Sequence, residues 1–419
     1  MREYIIGKDD RGQRLDKYLK RRLPLAPSSF IYKMLRKKNI TLRGKKADGS
    51  EKVAEGDSVI LYLSDETIEK FSGPVESGQA GAEAEEEARA FRLLQPVLGK
   101  DPVLYEDENI LIVRKPAGVL SQKAAAGDLS MNEWLRGYLR QKAGSDGPGP
   151  QSAGFRPSVC NRLDRNTGGI LLCARSLQGS RALSFVIRKR LIRKTYHMLV
   201  HGRITGPGRV EGSLIKDRDH NLVRAASKGT DADAAAAGQA AVTVYRPVRA
   251  GKNATLTEAD LITGRSHQLR VHMASLGHPI LFDPKYGDRE RDLALLRSAG
   301  IRLPAGAGRA QLLWCVETAF PDRFDPDPEE DFPEEVLLPL RGRVFRSPEP
   351  DWWGRLLSEG TAEAPGRQES RPEKDRTEKF KTEKNKTEKY KTEKKLKEYK
   401  GKDHKRKVII VTNGKKGNS

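Results

Sequence analysis

Two short stretches of this 419-residue chain concentrate charge against apolar strands. In the first, Asn161-Arg162-Leu163-Asp164-Arg165-Asn166-Thr167-Gly168-Gly169 stands directly before the apolar run Ile170 to Ala174. A carboxylate flanked by Arg162 and Arg165 is expected to stay ionised, because neighbouring cations favour the charged form. An ionised aspartate in a pocket can serve as nucleophile or base. The same residues also read as a charged loop turned by Gly168-Gly169, with Asp164 as a cap or salt-bridge partner, and local chemistry leaves both readings open. In the second stretch, Thr263-Gly264-Arg265-Ser266-His267-Gln268-Leu269-Arg270-Val271-His272, a strand gives way to a helix where Arg265, His267 and Arg270 gather. His267 and His272 are five apart rather than four and no acidic ligand follows at useful spacing, so no metal site is expected. A nucleophilic triad is no better supported. The cations are expected to hold phosphates or to pair with Asp164.

Composition bounds the partner. The formal charge is +21 with a pI near 9.8, which favours a polyanion, since cations that neutralise phosphates release condensed counterions. At 37% hydrophobic the chain can bury a core of its own. No apolar run is long enough to span a bilayer and the first residues lack the apolar core of a signal peptide, so a cytoplasmic protein is expected, with no membrane partner. Cys160, Cys173 and Cys315 lie in apolar stretches without CxxC spacing and read as buried free thiols.

The charge is unevenly placed, and this divides the chain. From Asp10 to Lys46 thirteen basic residues face two acidic ones. Leu15, Tyr18 and Leu19 share one face of a first helix, with Arg14 and Lys17 beside them. Phe30, Ile31, Met34 and Leu35 form the stripe of a second helix, whose other face carries Lys33, Arg36, Lys37 and Lys38. Ile40 to Lys46 and Val53 to Leu63 read as short strands closing a small sheet. From Asp65 to Arg89 eight acidic residues face two basic ones in an Ala-, Gly- and Glu-rich stretch, and residues 64–100 are expected to form a flexible acidic linker, with a short solvated helix as the alternative. Residues 101–353 alternate strand and helix patterns and form the candidate catalytic body. Within it, Glu106 to Asn109 turns a hairpin, Ser227 to Gln239 reads as a surface loop, and Gln311 to Phe320 as a final strand. The tail, 354–419, repeats RTEKF-KTEKN-KTEKY-KTEKK from Arg376 to Lys395 and reads as a basic, disordered arm.

The order of elements from Arg11 to Leu63 resembles the RNA-binding module first described in ribosomal small-subunit protein four. From about Leu104 to Tyr286 the chain closely resembles the pseudouridine synthases of the RluA type. The family pattern His-Arg-Leu-Asp-x-x-Thr-Ser-Gly stands here as Asn161 to Gly169. Its Lys-x-Tyr strand corresponds to Lys194-Thr195-Tyr196, and the runs Thr263 to His272, Gly277-His278-Pro279-Ile280 and Asp283-Pro284-Lys285-Tyr286-Gly287 follow in order. Two positions depart: Asn161 replaces His and Gly168 replaces Ser. Neither touches the Arg-Leu-Asp core, so activity is expected and any consequence falls on substrate preference.

The resemblance implies an α+β protein, a pseudouridine synthase fold built on a long mixed, mainly antiparallel sheet, with the small α/β RNA-binding module at its N-terminus. It implies an isomerase needing no cofactor, with Asp164 as catalytic carboxylate, Tyr196 stacked under the flipped base, Arg270 paired with Asp164, and Arg162 filling the gap left by the extruded nucleotide. RNA contacts are expected from Arg162, Arg165, Arg265 and His267 and from the basic module. The expected substrate is 23S ribosomal RNA and the expected state a monomer. Transfer RNA modification, or a non-catalytic ribosome-assembly role on a degenerate fold, are the alternatives. A DNA-processing hydrolase is poorly supported, because clustered metal-binding carboxylates are missing from the sequence.

Overall fold

The computed structural model describes residues 1–357 apart from 8–9, 73–76, 126, 145–154, 218–221, 226–237, 305–306 and 326–331. Most of the Ser227 to Gln239 loop and the repeats of the tail lie outside the described residues.

At the N-terminus, β1 (Arg2–Ile5), α1 (Leu15–Arg22), α2 (Ser28–Arg36), β2 (Ile40–Leu42), β3 (Lys45–Lys46) and β4 (Ser58–Leu61) build a small unit on a four-stranded antiparallel sheet ordered β1-β4-β2-β3. Leu15, Tyr18 and Leu19 of α1 and Ile31, Met34 and Leu35 of α2 are buried, the faces set by their helical spacing. The unit reaches beyond the span read from sequence at both ends. β1 precedes Arg11, and α3 (Asp65–Ser72) sends Ile68 into the same core while Phe71 packs on Phe30 with ring centroids 4.4 Å apart.

Most of the described residues within the expected flexible linker, 64–100, are instead helical. After α3, helix α4 (Ser77–Leu98) lies along α5 (Met131–Ala143). Composition misled here because the apolar positions, though few, recur on one face: Ala90, Leu94 and Leu98 are buried, and Glu87, one turn before Ala90, is only 1% exposed. A β-carbon on Gly137 of α5 would lie 2.3 Å from the Glu87 carbonyl oxygen, so the two helices meet backbone to backbone there.

The catalytic body holds β5 (Val103–Glu106), β6 (Ile110–Lys115), β7 (Ser158–Val159), β8 (Gly168–Ala174), α6 (Leu177–Arg188), β9 (Arg193–His201), β10 (Gly208–Asp217), β11 (Leu222–Ala225), β12 (Gln239–Ala250), β13 (Ala254–Leu261), α7 (Gln268–Ser275), α8 (Arg289–Ala299), β14 (Leu313–Ala319) and β15 (Val344–Arg346). The strands form one eleven-stranded sheet, β11-β10-β12-β13-β9-β14-β8-β6-β5, with β15 on β14 and β7 on β8. Among the described strands every pairing is antiparallel except β14 with β8, so the sheet is mixed and mainly antiparallel, as expected. The strand foreseen at Gln311 to Phe320 exists as β14, but it is not the last in the chain, since β15 follows and pairs with it. β8 is buried along its whole length and forms the middle of the main core with Ile110 to Val113, Trp134 and Leu183. The fold also runs past its expected end: Trp353, Leu356 and Leu357 are buried against Leu199 and Leu256, so residues 354–357 belong to the body and not to a disordered arm.

The N-terminal unit rests on the body through its Arg11. The Arg11 carbonyl accepts hydrogen bonds from Gln178 Nε2 (3.1 Å) and Arg181 Nη1 (2.7 Å) of α6, and its guanidinium pairs with Glu335.

On the back of β9, His197 bonds Glu349 through Nδ1 at 2.8 Å and faces Glu258 at 3.6 Å, with Arg246 on the far side of Glu258. Burial lowers the ring's pKa, but the bonds to Glu258 and Glu349 outweigh it and raise it to about 9. A group whose folded pKa is raised contributes stability in full below its unfolded value and loses it as pH climbs through the folded one. Stability should therefore decline between pH of about 6.5 and about 9, by on the order of 2 kcal/mol after allowance for partial exposure. Urea unfolding at several pH values checks this, and Glu349→Gln should flatten the decline.

Candidate active site

Asp164 sits on the loop between β7 and β8, and that loop is held by backbone-directed bonds from residues far away in sequence. Ser121 Oγ donates to the Leu163 carbonyl (2.9 Å) and accepts from the Leu163 N–H (3.1 Å). The Arg165 carbonyl accepts from Gly118 N (2.9 Å) and from Lys115 Nζ (3.0 Å). Gln311 Nε2 donates to Thr167 Oγ1 at 3.2 Å. Asn161 Oδ1 accepts from Leu172 N at 2.7 Å, fastening the start of the loop to β8. Asn161 thus has a structural task that a neutral amide performs without charge.

Lys115 at the end of β6 is fully buried, and its ammonium meets three carbonyl oxygens, of Pro116, Val119 and Arg165, at 2.6 to 3.0 Å. Burial draws its pKa down to about 7, and the Asp164 charge opposes that shift. Three acceptors match the three N–H groups of a lysine ammonium, so Lys115 ties the β6 turn to the Asp164 loop.

The Asp164 side chain is 32% exposed, and Arg270 Nη1 lies 3.2 Å from its Oδ2. Arg270 projects from the first turn of α7 and is itself anchored by a two-pronged bond to Asp283, Nε and Nη2 each 2.7 Å from a carboxylate oxygen. Asp283 is sealed from solvent and also accepts the N–H groups of Lys285 (2.9 Å) and Tyr286 (3.1 Å). Burial disfavours the charge on Arg270, yet the bond to Asp283 and the nearby Asp164 raise its pKa above the ordinary arginine value. Such a fork fixes orientation as well as charge. One face of the guanidinium lies 5.0 Å from the Tyr286 ring centroid.

His267 adopts a left-handed conformation, φ 53°, at the N-terminus of α7, which turns its ring toward Asp164. Nε2 is 3.9 Å from Asp164 Oδ2, and Nδ1 is 2.8 Å from the Tyr286 hydroxyl. Burial lowers the imidazole pKa against the pull of Asp164, so the ring is neutral near pH 7. Gln268 braces this corner, its Oε1 accepting from Thr263 Oγ1 (2.7 Å) and Arg265 N (3.1 Å) and its Nε2 donating to the Val242 carbonyl (2.9 Å).

Tyr196, on the front of β9, is 7% exposed. Its phenol is pushed well above the usual tyrosine range, mainly by burial, then by the adjoining Cys315 thiol and by Asp164. A neutral tyrosine ring therefore lies within reach of the Asp164 charge.

Asp164, Arg270, His267 and Tyr196 are thus gathered in one place. Arg162 and Arg165 are not part of that cluster by their charges: both are exposed, and Arg165 lies 3.9 Å from Asp128. Among the described residues the groups that meet the Asp164 carboxylate are the Arg270 guanidinium and the His267 ring rather than the charges of its sequence neighbours. Arg265 is half-buried at the rim and donates Nε to the Ala240 carbonyl at 3.2 Å. In the N-terminal unit Arg14, Lys17, Lys33, Arg36, Lys37 and Lys38 are all exposed, with Arg14 held at 2.9 Å from Asp16. Sequence reading missed Lys115, Ser121 and Asp283. Asp283 stood in a quoted run, and the signal available was an aspartate whose neighbours form no apolar periodicity to explain it. Among the described residues no group of three or more His, Cys, Asp or Glu is placed to hold a metal ion, and no helix is long and apolar enough to cross a membrane.

Gly168 has a packing reason. A β-carbon there would lie 1.9 Å from Trp314 Cζ3 on the paired strand β14, so a serine has no room while the indole is present. Gly168→Ser should lower stability by about 1–3 kcal/mol. Trp314→Leu in the same chain should make the serine cheaper than it is alone, and a double-mutant cycle of thermal unfolding measures that coupling.

The long mixed sheet and the segments that carry these residues match an RNA-modifying isomerase of the uridine-to-pseudouridine class. The family model described as RNA pseudouridylate synthase matches residues 109–275, and the chain belongs to that family, in its RluA-type branch. A ribosomal large subunit pseudouridine synthase C of Rickettsia conorii is 34% identical over 281 residues, which cover 67% of this chain and 84% of the relative. The protein of the same description from Escherichia coli strain K12 is 32% identical over 294 residues, 69% of this chain and 81% of that one. The solved structure of human RNA Pseudouridylate Synthase Domain Containing 4 aligns with 66% of this chain and 96% of its own at a TM-score of 0.45 and 20% identity.

Proposed function

We propose that this isomerase acts on large-subunit ribosomal RNA, 23S in bacteria, as a monomeric cytoplasmic enzyme, and that Asp164 is its catalytic carboxylate. The observation that carries the reading is the 3.2 Å approach of Arg270 to Asp164 inside the matched family segment, with Arg270 itself fixed by buried Asp283. An arginine so anchored aims the carboxylate without consuming it as a structural salt bridge, since one third of the aspartate side chain still faces solvent.

The reaction breaks the bond from sugar to ring nitrogen, turns the base, and rejoins it through a ring carbon whose hydrogen is then released. Asp164 provides the anion at the sugar–base junction, Tyr196 a neutral face for the flipped base, and Arg270 the positioning cation. Extruding a base costs a few kcal/mol, least where it is unpaired, so a loop or bulge is the target. Arg162 occupies the vacated stack, while Arg165, Arg265 and His267 line the approach of the RNA. Arg14, Lys17, Lys33, Arg36, Lys37 and Lys38 form a phosphate-binding face on the module of residues 11–63, supplying affinity that is independent of sequence. The large-subunit assignment rests on the names of the relatives from Rickettsia conorii and Escherichia coli.

Tritium release from uridine-tritiated transcripts tests this. Release from large-subunit RNA and none from transfer RNA is expected. Release from transfer RNA alone would move the substrate assignment, and release from neither would overturn it.

A further inference from the structure

Of the acidic residues on α4, Glu87 is treated differently from its neighbours Glu83, Glu85 and Glu86. They are exposed or half-buried, whereas Glu87 is 1% exposed. Burying a carboxylate is costly unless it is paired and hydrogen-bonded. Glu87 is both: Oε1 accepts from Arg136 Nε and Oε2 from Arg140 Nη2, each at 2.9 Å. A tether between two domains requires no such group.

From Arg136 two routes lead to the Asp164 loop. Along one, Arg136 Nη1 donates to the Pro157 carbonyl at 3.3 Å, at the root of β7, where Val159 N also donates to Asn132 Oδ1 at 2.9 Å. Along the other, Arg136 Nη2 donates to Glu133 Oε1 at 2.7 Å, and the second oxygen of Glu133 accepts from the Ser130 hydroxyl. Ser130 is paired as a β-bridge with Leu120, whose carbonyl accepts from Met131 N at 2.8 Å. The next residue, Ser121, grips Leu163 on both its N–H and its carbonyl. Leu163 adjoins Asp164. Arg136, Glu133, Ser130 and Ser121 are all buried, so both routes run through close-packed interior where displacement is transmitted and not absorbed.

We infer that Glu87 is a positioning residue for the isomerisation, which makes α4 a working part of the catalytic apparatus. By fixing Arg136 it sets the two strands of support on which Asp164 rests, without touching substrate. This rests on the reading of Asp164 as the catalytic carboxylate. A misplacement of an ångström or less in a reacting group can cost up to about 100-fold in rate.

The test is single-turnover tritium release from a uridine-tritiated large-subunit RNA transcript, using the full chain and enzyme in saturating excess, with RNA affinity measured separately. Glu87→Gln keeps the side-chain volume and removes the charge. Its saturating rate is expected to fall about 10-fold or more with the dissociation constant for RNA unchanged, while Glu85→Gln at an exposed position of the same helix leaves both at the wild-type value. A wild-type saturating rate in Glu87→Gln, or a loss confined to RNA affinity, overturns the inference. Should Glu87→Gln fail to fold, Glu87→Asp decides by the same two criteria, because it keeps the charge but withdraws the carboxylate from Arg136 by one methylene. Asp164→Asn run alongside separates the two ideas: full activity in that variant overturns the catalytic reading itself, whereas an inactive Asp164→Asn beside a fully active Glu87→Gln overturns the positioning role alone.

Discussion

Asp164→Asn should lower pseudouridine formation by at least about 10³-fold while leaving RNA affinity within roughly two-fold of wild type. The substitution preserves volume and one acceptor oxygen, so Arg270 keeps a partner at that corner and its bond to Asp283 is untouched. What disappears is the negative charge, and with it any role as nucleophile or base. Affinity is expected to survive because it is dominated by phosphate contacts made elsewhere. Tritium release and filter binding on one RNA measure both quantities. Wild-type conversion in the variant would remove Asp164 from the reaction.

The second large effect concerns Arg270. Arg270→Met leaves Asp283, whose side chain is wholly buried, without its cation. Breaking a buried pair by removing one partner costs about 3–5 kcal/mol, because the remaining charge is uncompensated. Activity should vanish and the urea midpoint should fall steeply. Arg270→Lys retains the charge but cannot reproduce the fork, so it should recover only part of either property. Arg270→Met/Asp283→Asn should regain part of the lost stability, because the amide oxygen can still accept from Lys285 N and Tyr286 N, and remain inactive. If the double variant isomerised RNA, the arginine would be a structural anchor with no bearing on Asp164.

Much of the fold was legible in the sequence because its signals are local. The stripes Leu15-Tyr18-Leu19 and Ile31-Met34-Leu35, the hairpin turned at Glu106 to Asn109, and the apolar run of β8 each declare themselves within a few residues. The site was legible in part. Asp164 and Arg270 are 106 residues apart and meet only through the fold, so ordered motifs, and not local chemistry, pointed to both. Arg162 and Arg165 illustrate the converse. Adjacency in sequence suggested that they would hold the Asp164 charge, but the loop turns their side chains outward and the partner comes from α7.

What stayed hidden were residues whose role depends on what lies opposite them. Lys115 ends an apolar strand and reads as a solvated terminus until the Arg165 carbonyl is seen against it. Glu87 belongs to a stretch whose average composition argues for solvation, and one buried carboxylate among several exposed ones does not alter an average. Gly168 read as half of a glycine turn, whereas the missing atoms make way for an indole that arrives from Trp314.

That same junction bears on how the chain assembles. β14 stands between β8 and β9, so the two flanks of the sheet, β5-β6-β8 and β9 to β13, share no continuous ladder until a strand from near the end of the body is inserted between them. Contacts of such long sequence separation form slowly, since the intervening loop must close first. During synthesis the flanks can each gather around their own hairpins, but Tyr196 on one and the Asp164 loop beside the other become fixed neighbours only after residue 319 has emerged. On the proposed reading of the site, competence to modify RNA therefore waits for β14, although every residue assigned to the reaction precedes that strand in the chain.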